Sequence, residues 1–91
     1  METKTATTGT IRYWAAAKGA AGTAEESYRA EILAQALEQA RSRHAHEPRF
    51  ARVLKVCSFL VDGDPVGVRD HASVALRDGA VVEVLPPFAG G

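Results

Sequence analysis

Pro86, Pro87, Phe88, Ala89, Gly90 and Gly91 close the sequence, and each residue type there has a chemical use. The prolines fix φ and hold the direction in which the chain leaves the last strand. From Pro86 to Gly91 an extended chain reaches about 20 Å. Gly90 and Gly91 have no side chains, so they suit a narrow channel and accept many backbone conformations. A tail of this kind delivers the terminal carboxyl of Gly91 into a partner's buried site. A carboxylate is inert to nucleophiles. A mixed anhydride with a nucleotide phosphate makes it an acylating group, and a sulfur nucleophile then converts it into a terminal thiocarboxylate. The logic is covalent group transfer on the chain's own end, with the folded body supplying orientation. Gly-Gly by itself is an ordinary flexible terminus. An apolar strand and a diproline just before it favour the reactive tail.

The elements that must hold this tail follow from pattern. Residues 10–15 include Ile11, Tyr13 and Trp14 and read as a first strand. Residues 16–22 are Ala-rich but broken by Gly19 and Gly22, and stay open between a helical turn and a loop. Residues 25–29 form a weaker strand. Residues 31–43 carry Ile32, Leu33, Ala36, Leu37 and Ala40 at helical spacing. Arg41, Arg43 and His44 fall at the C-terminal end of that helix, where positive charge suits its dipole. Pro48 fits the first turn of a second, short helix, with Phe50, Val53 and Leu54 buried. Residues 57–61 make a third strand that stops at the turn Asp62-Gly63-Asp64-Pro65. Residues 66–69 are expected to pair back as a short strand. Residues 73–76 lead to a turn at Asp78-Gly79, and residues 80–85 form the Val-rich last strand, ended by Pro86-Pro87.

This order is α+β. A long helical crossover permits parallel pairing of the first and last strands. The expected fold is a β-grasp: a mixed sheet of four to five strands, covered by one main helix and a short second helix. Residues 1–8 are expected as a flexible N-terminal tail, 9–87 as the β-grasp domain and 88–91 as a mobile reactive tail.

Composition narrows the function classes. Ninety-one residues make one small domain, with about 60–65% of the unfolded surface buried and little room for a deep catalytic cleft. Eleven basic residues balance eleven acidic ones, so there is no electrostatic case for nucleic acid. Arg41, Arg43, Arg49 and Arg52 read as solvated helix faces. One cysteine, Cys57, excludes an internal disulfide and suits a reducing compartment. The first residues lack the apolar stretch of a signal peptide, and nothing is long enough to span a bilayer. We expect a cytoplasmic protein with no membrane partner.

The segment Asp78-Gly79-Ala80-Val81-Val82-Glu83-Val84-Leu85-Pro86-Pro87-Phe88-Ala89-Gly90-Gly91 resembles the end of the MoaD/ThiS sulfur carriers, relatives of ubiquitin. The diproline is closest to MoaD, the small subunit of molybdopterin synthase. Ile11-Arg12-Tyr13-Trp14-Ala15, with Lys18 and Gly22, resembles the MoaD opening. The resemblance spans residues 10–91. It implies an E1-like enzyme that adenylates Gly91 with ATP, a sulfurtransferase that supplies sulfur, and a larger MoaE-like synthase subunit that accepts the tail. Molybdenum cofactor biosynthesis is the first expectation. It implies a chain that is not catalytic alone, with no cofactor bound to it. Sulfur delivery to thiamine or cysteine synthesis, conjugation as a ubiquitin-like modifier through Gly91, and an inert interaction module are the other readings.

Trp14, Lys18 and Leu85 are candidates for partner docking, and Phe88, beyond the diproline, favours the same role. In the last strand Ala80, Val82 and Val84 lie on one face and Val81, Glu83 and Leu85 on the other. One set meets the helix and the other is free for a partner. Trp14 stays open between core and docking surface, and Lys18 between a solvated lysine and an ion pair with a partner. Cys57 among Val56, Ser58, Phe59 and Leu60 reads as a buried strand thiol, not a sulfur relay. His44 and His46 share H-x-H spacing and His71 stands alone. No metal site is expected from them.

Overall fold

The computed structural model describes residues 7–87. β1 (Thr8–Tyr13) puts Ile11 and Tyr13 inward by strand alternation. Its neighbours are β2 (Glu25–Arg29), antiparallel, and β5 (Val81–Leu85), parallel. β3 (Ser58–Val61) pairs antiparallel with β5, and β4 (Asp64–Pro65) with β3. The sheet order is β2-β1-β5-β3-β4, so the strand carrying the tail is central. α1 (Ala15–Ala21), α2 (Leu33–Arg43) and α3 (Pro48–Lys55) complete the fold with a 3-10 turn, His71–Ser73. This is a β-grasp, as expected.

α2 forms where the periodicity places it. Leu33, Ala36, Leu37 and Ala40 are buried in one core with Ile11, Val82 and Val84. No side chain caps its start at Ile32. Instead Leu33 N–H donates to the Val74 carbonyl (2.9 Å), and Leu76 N–H to that of Glu31 (2.9 Å). Residues 74–76 thus act as a short strand that satisfies the helix start, one of the places where orphan donors need partners. α3 has Pro48 in its first turn, and Glu47 caps it by accepting from Arg49 N–H at 3.1 Å.

α1 settles the question left open for residues 16–22. Ala17 and Ala20 are buried, and Gly22 ends the helix at φ 76, with its N–H on the Lys18 carbonyl (2.9 Å). The return strand expected at residues 66–69 lies instead at Asp64–Pro65. Asp62 and Gly63 both have positive φ, 49 and 86, which makes a two-residue hairpin whose twist matches the strands. Pairing therefore resumes at Val61↔Asp64. Pro65 has no N–H to donate, and after a last bond from Val66 N–H to the Phe59 carbonyl (3.0 Å) the chain turns away at Gly67, φ 60.

The outer edge of β2 is closed by side chains. The Glu25 carbonyl accepts from Thr23 Oγ1 (3.0 Å) and the Ser27 carbonyl from Arg43 Nη1 (2.8 Å). The Gln39 carboxamide takes both outward groups of Arg29: it accepts from the N–H at 2.9 Å and donates to the carbonyl. An open strand edge is a template for another chain. An antiparallel copy centred on Ser27 would set Glu25 against Arg29, a favourable cross-strand pair. The double variant Gln39→Ala/Arg43→Ala is expected to associate with rising concentration, by sedimentation velocity, while the native chain does not. A folded variant that sediments like the native chain at every concentration refutes the edge-closing role.

Candidate functional site

Three neighbouring segments meet where β5 ends. Leu85 pairs with Ser58 of β3, and Val84 pairs with Tyr13 of β1. Trp14 follows Tyr13, and its N–H donates to the Val84 carbonyl at 3.2 Å. The indole Nε1 donates to Glu83 Oε1 at 3.0 Å. That bond steers the ring along the outer face of β5 while leaving it 45% exposed. The chain then turns sharply into α1 through Ala15, at φ 48, a conformation that costs a non-glycine residue about 1 kcal/mol.

The result is an apolar groove of about 690 Å³ lined by Trp14, Ala15, Ala16, Ser58, Leu85, Pro86 and Pro87. A smaller groove of about 300 Å³ lies on the other side of the diproline, lined by Ala16, Arg49, Arg52, Val53, Val56, Pro86 and Pro87. Alternation along β5 explains the first. Val82 and Val84 are fully buried under the helices, and Val81, Glu83 and Leu85 face outward, half-buried.

Trp14 and Leu85 therefore come together at the tail's root, and Trp14 belongs to the surface, not the core. Pro86 and Pro87 form the ridge between the grooves. Lys18 sits exposed on α1 and lines neither groove. Phe88, Ala89, Gly90 and Gly91 lie outside the described residues. Sequence reasoning placed Glu83 on one face of the last strand with Val81 and Leu85 but gave it no role, because its partner Trp14 is 69 residues away in the chain. It missed Val56, 60% exposed just past the end of α3, and the part Arg49 and Arg52 take in the groove.

A polar cluster beneath anchors Trp14's neighbour. Tyr13 Oη donates to Glu26 Oε2 (2.5 Å), and His44 Nε2 lies 2.8 Å from the same oxygen. Arg43 Nη1 is 3.4 Å from Glu26 Oε1. Tyr13 and Phe50 pack against the His44 ring, Phe50 at a centroid distance of 4.5 Å. His44, at the C-terminal end of α2 as expected, is buried, because Glu26 gives its nitrogen a partner. Burial, then the Glu26 hydrogen bond and charge, pushes the Tyr13 pKa well above the usual tyrosine range.

Burial alone would raise the Glu26 pKa, but the hydrogen bonds from Tyr13 and His44 and the nearby charges of His44 and Arg43 outweigh it and hold it below the ordinary value. A depressed folded pKa stabilises the fold above the unfolded carboxylate value, about 4.3. That contribution disappears as pH falls through the lower, folded value. The melting temperature of the native protein should therefore exceed that of Glu26→Gln at pH 7. The gap should narrow steadily below about pH 4.3. A gap that is constant from neutral pH to acid contradicts this role.

Cys57 Sγ donates to the Val53 carbonyl at 3.1 Å, and burial pushes its thiol pKa up. The expected buried strand thiol is instead half-buried in the link between α3 and β3, where the Val53 carbonyl holds it as a structural group. Among the described residues no three His, Cys, Asp or Glu side chains group as metal ligands, and no helix is long and apolar enough to cross a membrane.

Known proteins match this architecture. The ThiS family matches residues 11–91. Small archaeal modifier protein 1 from Methanosarcina acetivorans has a similar structure, with a TM-score of 0.79 at 19% identity, covering 97% of this chain and 100% of that one. A chain in the BexX/CysO complex of Amycolatopsis orientalis aligns with a TM-score of 0.72 at 19% identity, covering 90% and 98%. One in the complex of subunits 1 and 2 of molybdopterin-converting factor from Helicobacter pylori aligns at 0.63 and 21% identity, covering 92% and 99%. At these identities the structural matches speak for the fold. No curated protein matches the chain by sequence.

Proposed function

We propose, from the premise that this chain belongs to the ThiS family of ubiquitin-like sulfur carriers, that its Gly91 carboxyl is the sulfur-bearing group. In the proposed cycle the Gly91 carboxylate attacks the α-phosphorus of ATP in an E1-like enzyme. Acyl adenylate forms and pyrophosphate leaves. A sulfide-level sulfur nucleophile, delivered by a sulfurtransferase system, then adds at the acyl carbon and displaces AMP. The product is a thiocarboxylate whose soft, anionic sulfur adds to an electrophilic carbon of a substrate held by the next partner. Water then cleaves the acyl carbon–sulfur bond, leaving the sulfur on the substrate as a thiolate and returning the Gly91 carboxylate. That partner is a larger synthase subunit, and this chain is the small subunit of a molybdopterin synthase. No step needs a side chain of this protein.

The observation that carries the reading is the root of the tail. The central strand ends in a diproline ridge, beside an apolar groove built by Trp14 and Leu85. A partner that covers this groove receives the following residues in a fixed direction. The molybdopterin-converting factor neighbour, itself in complex with a second subunit, and the Pro-Pro-x-Ala-Gly-Gly ending support the synthase assignment. Conjugation to target lysines is the second reading, favoured by the likeness to an archaeal modifier protein. Delivery to thiamine or cysteine synthesis uses the same loaded tail.

Intact-mass analysis of the protein incubated with its activating and sulfur-donating enzymes tests the proposal. The expected product has one terminal oxygen replaced by sulfur. Higher-mass adducts at target lysines in cells identify a modifier instead. An unchanged mass in both settings rejects the reactive tail.

A further inference from the structure

The chain's net charge is zero, yet its charges are sorted along the tail-bearing strand. α1 and α3 carry Lys18, Arg49, Arg52 and Lys55 and no carboxylate. The two helices pack together: a methyl placed on Gly19 would lie 3.5 Å from Arg49 Nη2, one residue from Lys18. Among the described residues none of these four cations is in an ion pair. At the opposite end of the sheet Asp62, Asp64 and Asp78 outnumber the two cations beside them, Arg69 and Arg77. The Asp62 and Asp78 carboxylates accept from the Val81 and Thr8 N–H groups, at the starts of β5 and β1 (2.9 and 3.0 Å). The carboxylates near the tail are already engaged: Glu83 with Trp14, Glu26 with His44 and Arg43, Glu25 with Arg12, and Glu47 with the Arg49 N–H as the cap of α3.

The cations do not stand on a merely polar surface. Arg49 and Arg52 flank the smaller groove, whose floor is Ala16, Val53, Val56 and the diproline. Val56 is 60% exposed there without a neighbour to cover it among the described residues. Unpaired guanidiniums over exposed apolar carbon are the two halves of an interface rim and core.

We infer that the α1–α3 face beside the diproline docks the enzyme that activates the tail, through an apolar side chain of that enzyme seated on Val56 and flanked by its carboxylates. The sorted charges orient the encounter. The cationic end, from which the tail leaves, is drawn toward an acidic rim and the aspartate end is turned away. The partner named rests on the activation reading above; the surface itself does not.

The test is affinity for the activating enzyme, measured by fluorescence anisotropy with labelled carrier lacking Gly91, so that no tail chemistry is involved. Arg49→Glu/Arg52→Glu is expected to raise Kd at least about tenfold, and the native affinity should fall with added salt more steeply than that of the variant. Arg29→Glu/Arg77→Glu, exposed and away from the α1–α3 face, makes the same change in net charge and should bind like the native chain. Equal Kd for the two double variants overturns the docking face, as does a salt response that Arg49→Glu/Arg52→Glu retains in full. Pyrophosphate exchange by the full-length chain reports separately on the tail. Binding without exchange keeps this surface and sinks the activation reading.

Discussion

Deletion of Gly91 is expected to lower adenylation and sulfur loading by at least about 100-fold while leaving the fold's stability unchanged. The physical reason is reach. Each extended residue contributes about 3.3–3.6 Å, so the truncated chain presents its carboxyl, now that of Gly90, more than 3 Å short of the activated phosphorus. A displacement of about 1 Å already costs on the order of 100-fold when reacting groups must be held in line. The body cannot compensate by sliding, because Val84 and Leu85, just before the diproline, are tied to β1 and β3 by strand pairing. Pyrophosphate exchange with the activating enzyme and thermal melting, run on both chains, make the comparison. Full exchange by the truncated chain refutes the terminal-carboxyl mechanism. A drop in melting temperature would place the last residue in the fold.

Gly9→Ala is expected to destabilise the protein by about 3 kcal/mol or more, at the upper end of what overpacking costs. For a domain of this size that lowers the melting temperature by roughly 12 °C or more. Gly9 pairs with Tyr28 across β1 and β2. The Tyr28 side chain lies over Gly9, and its hydroxyl donates to the Ala80 carbonyl at 2.9 Å in a buried bond. A methyl at Gly9 would collide with that carbonyl oxygen, with the Tyr28 hydroxyl, and with Tyr28 Cζ at 2.6 Å. The carbonyl belongs to the backbone leading into the tail-bearing strand and also accepts from Thr10 N–H at 3.2 Å, so it has little freedom to retreat. Tyr28→Phe alone should cost about 1 kcal/mol for the lost hydrogen bond. In the Gly9→Ala background it should cost less, since it removes one of the clashing atoms. Denaturant unfolding of the four proteins measures the coupling. A Gly9→Ala loss under about 1 kcal/mol, or strict additivity, contradicts the close approach.

The last strand is legible because its signals are local. An apolar run over 80–85, broken only at Glu83, and a diproline stop lie within eight positions, and strand period alone sorts Val82 and Val84 from Glu83 and Leu85. The main helix is legible for the same reason: its stripe repeats at the helical period. α1 is harder. An Ala-rich stretch holding two glycines has no stripe strong enough to decide its state, and the burial of Ala17 and Ala20 decides it. Sequence pattern places the return strand at 66–69 because Val66 looks like a strand residue, whereas the structure pairs Asp64 and Pro65. The hairpin's positive φ at Asp62 and Gly63 restarts pairing two residues earlier.

From the sequence alone come the Pro-Pro-x-Ala-Gly-Gly ending, the strand that leads to it and the helix that covers that strand, since each depends on neighbours in the chain and on backbone periods. Tertiary structure decided what distant residues do together. Tyr13, Glu26 and His44 become one buried hydrogen-bonded group. Gln39 and Arg43 become the seal of a strand edge. Trp14, Val56 and the arginines of α3 become the surroundings of the diproline. Such roles arise from contact across the fold, where burial and pairing set a side chain's energy, and no local pattern of residue types encodes which partner will be met.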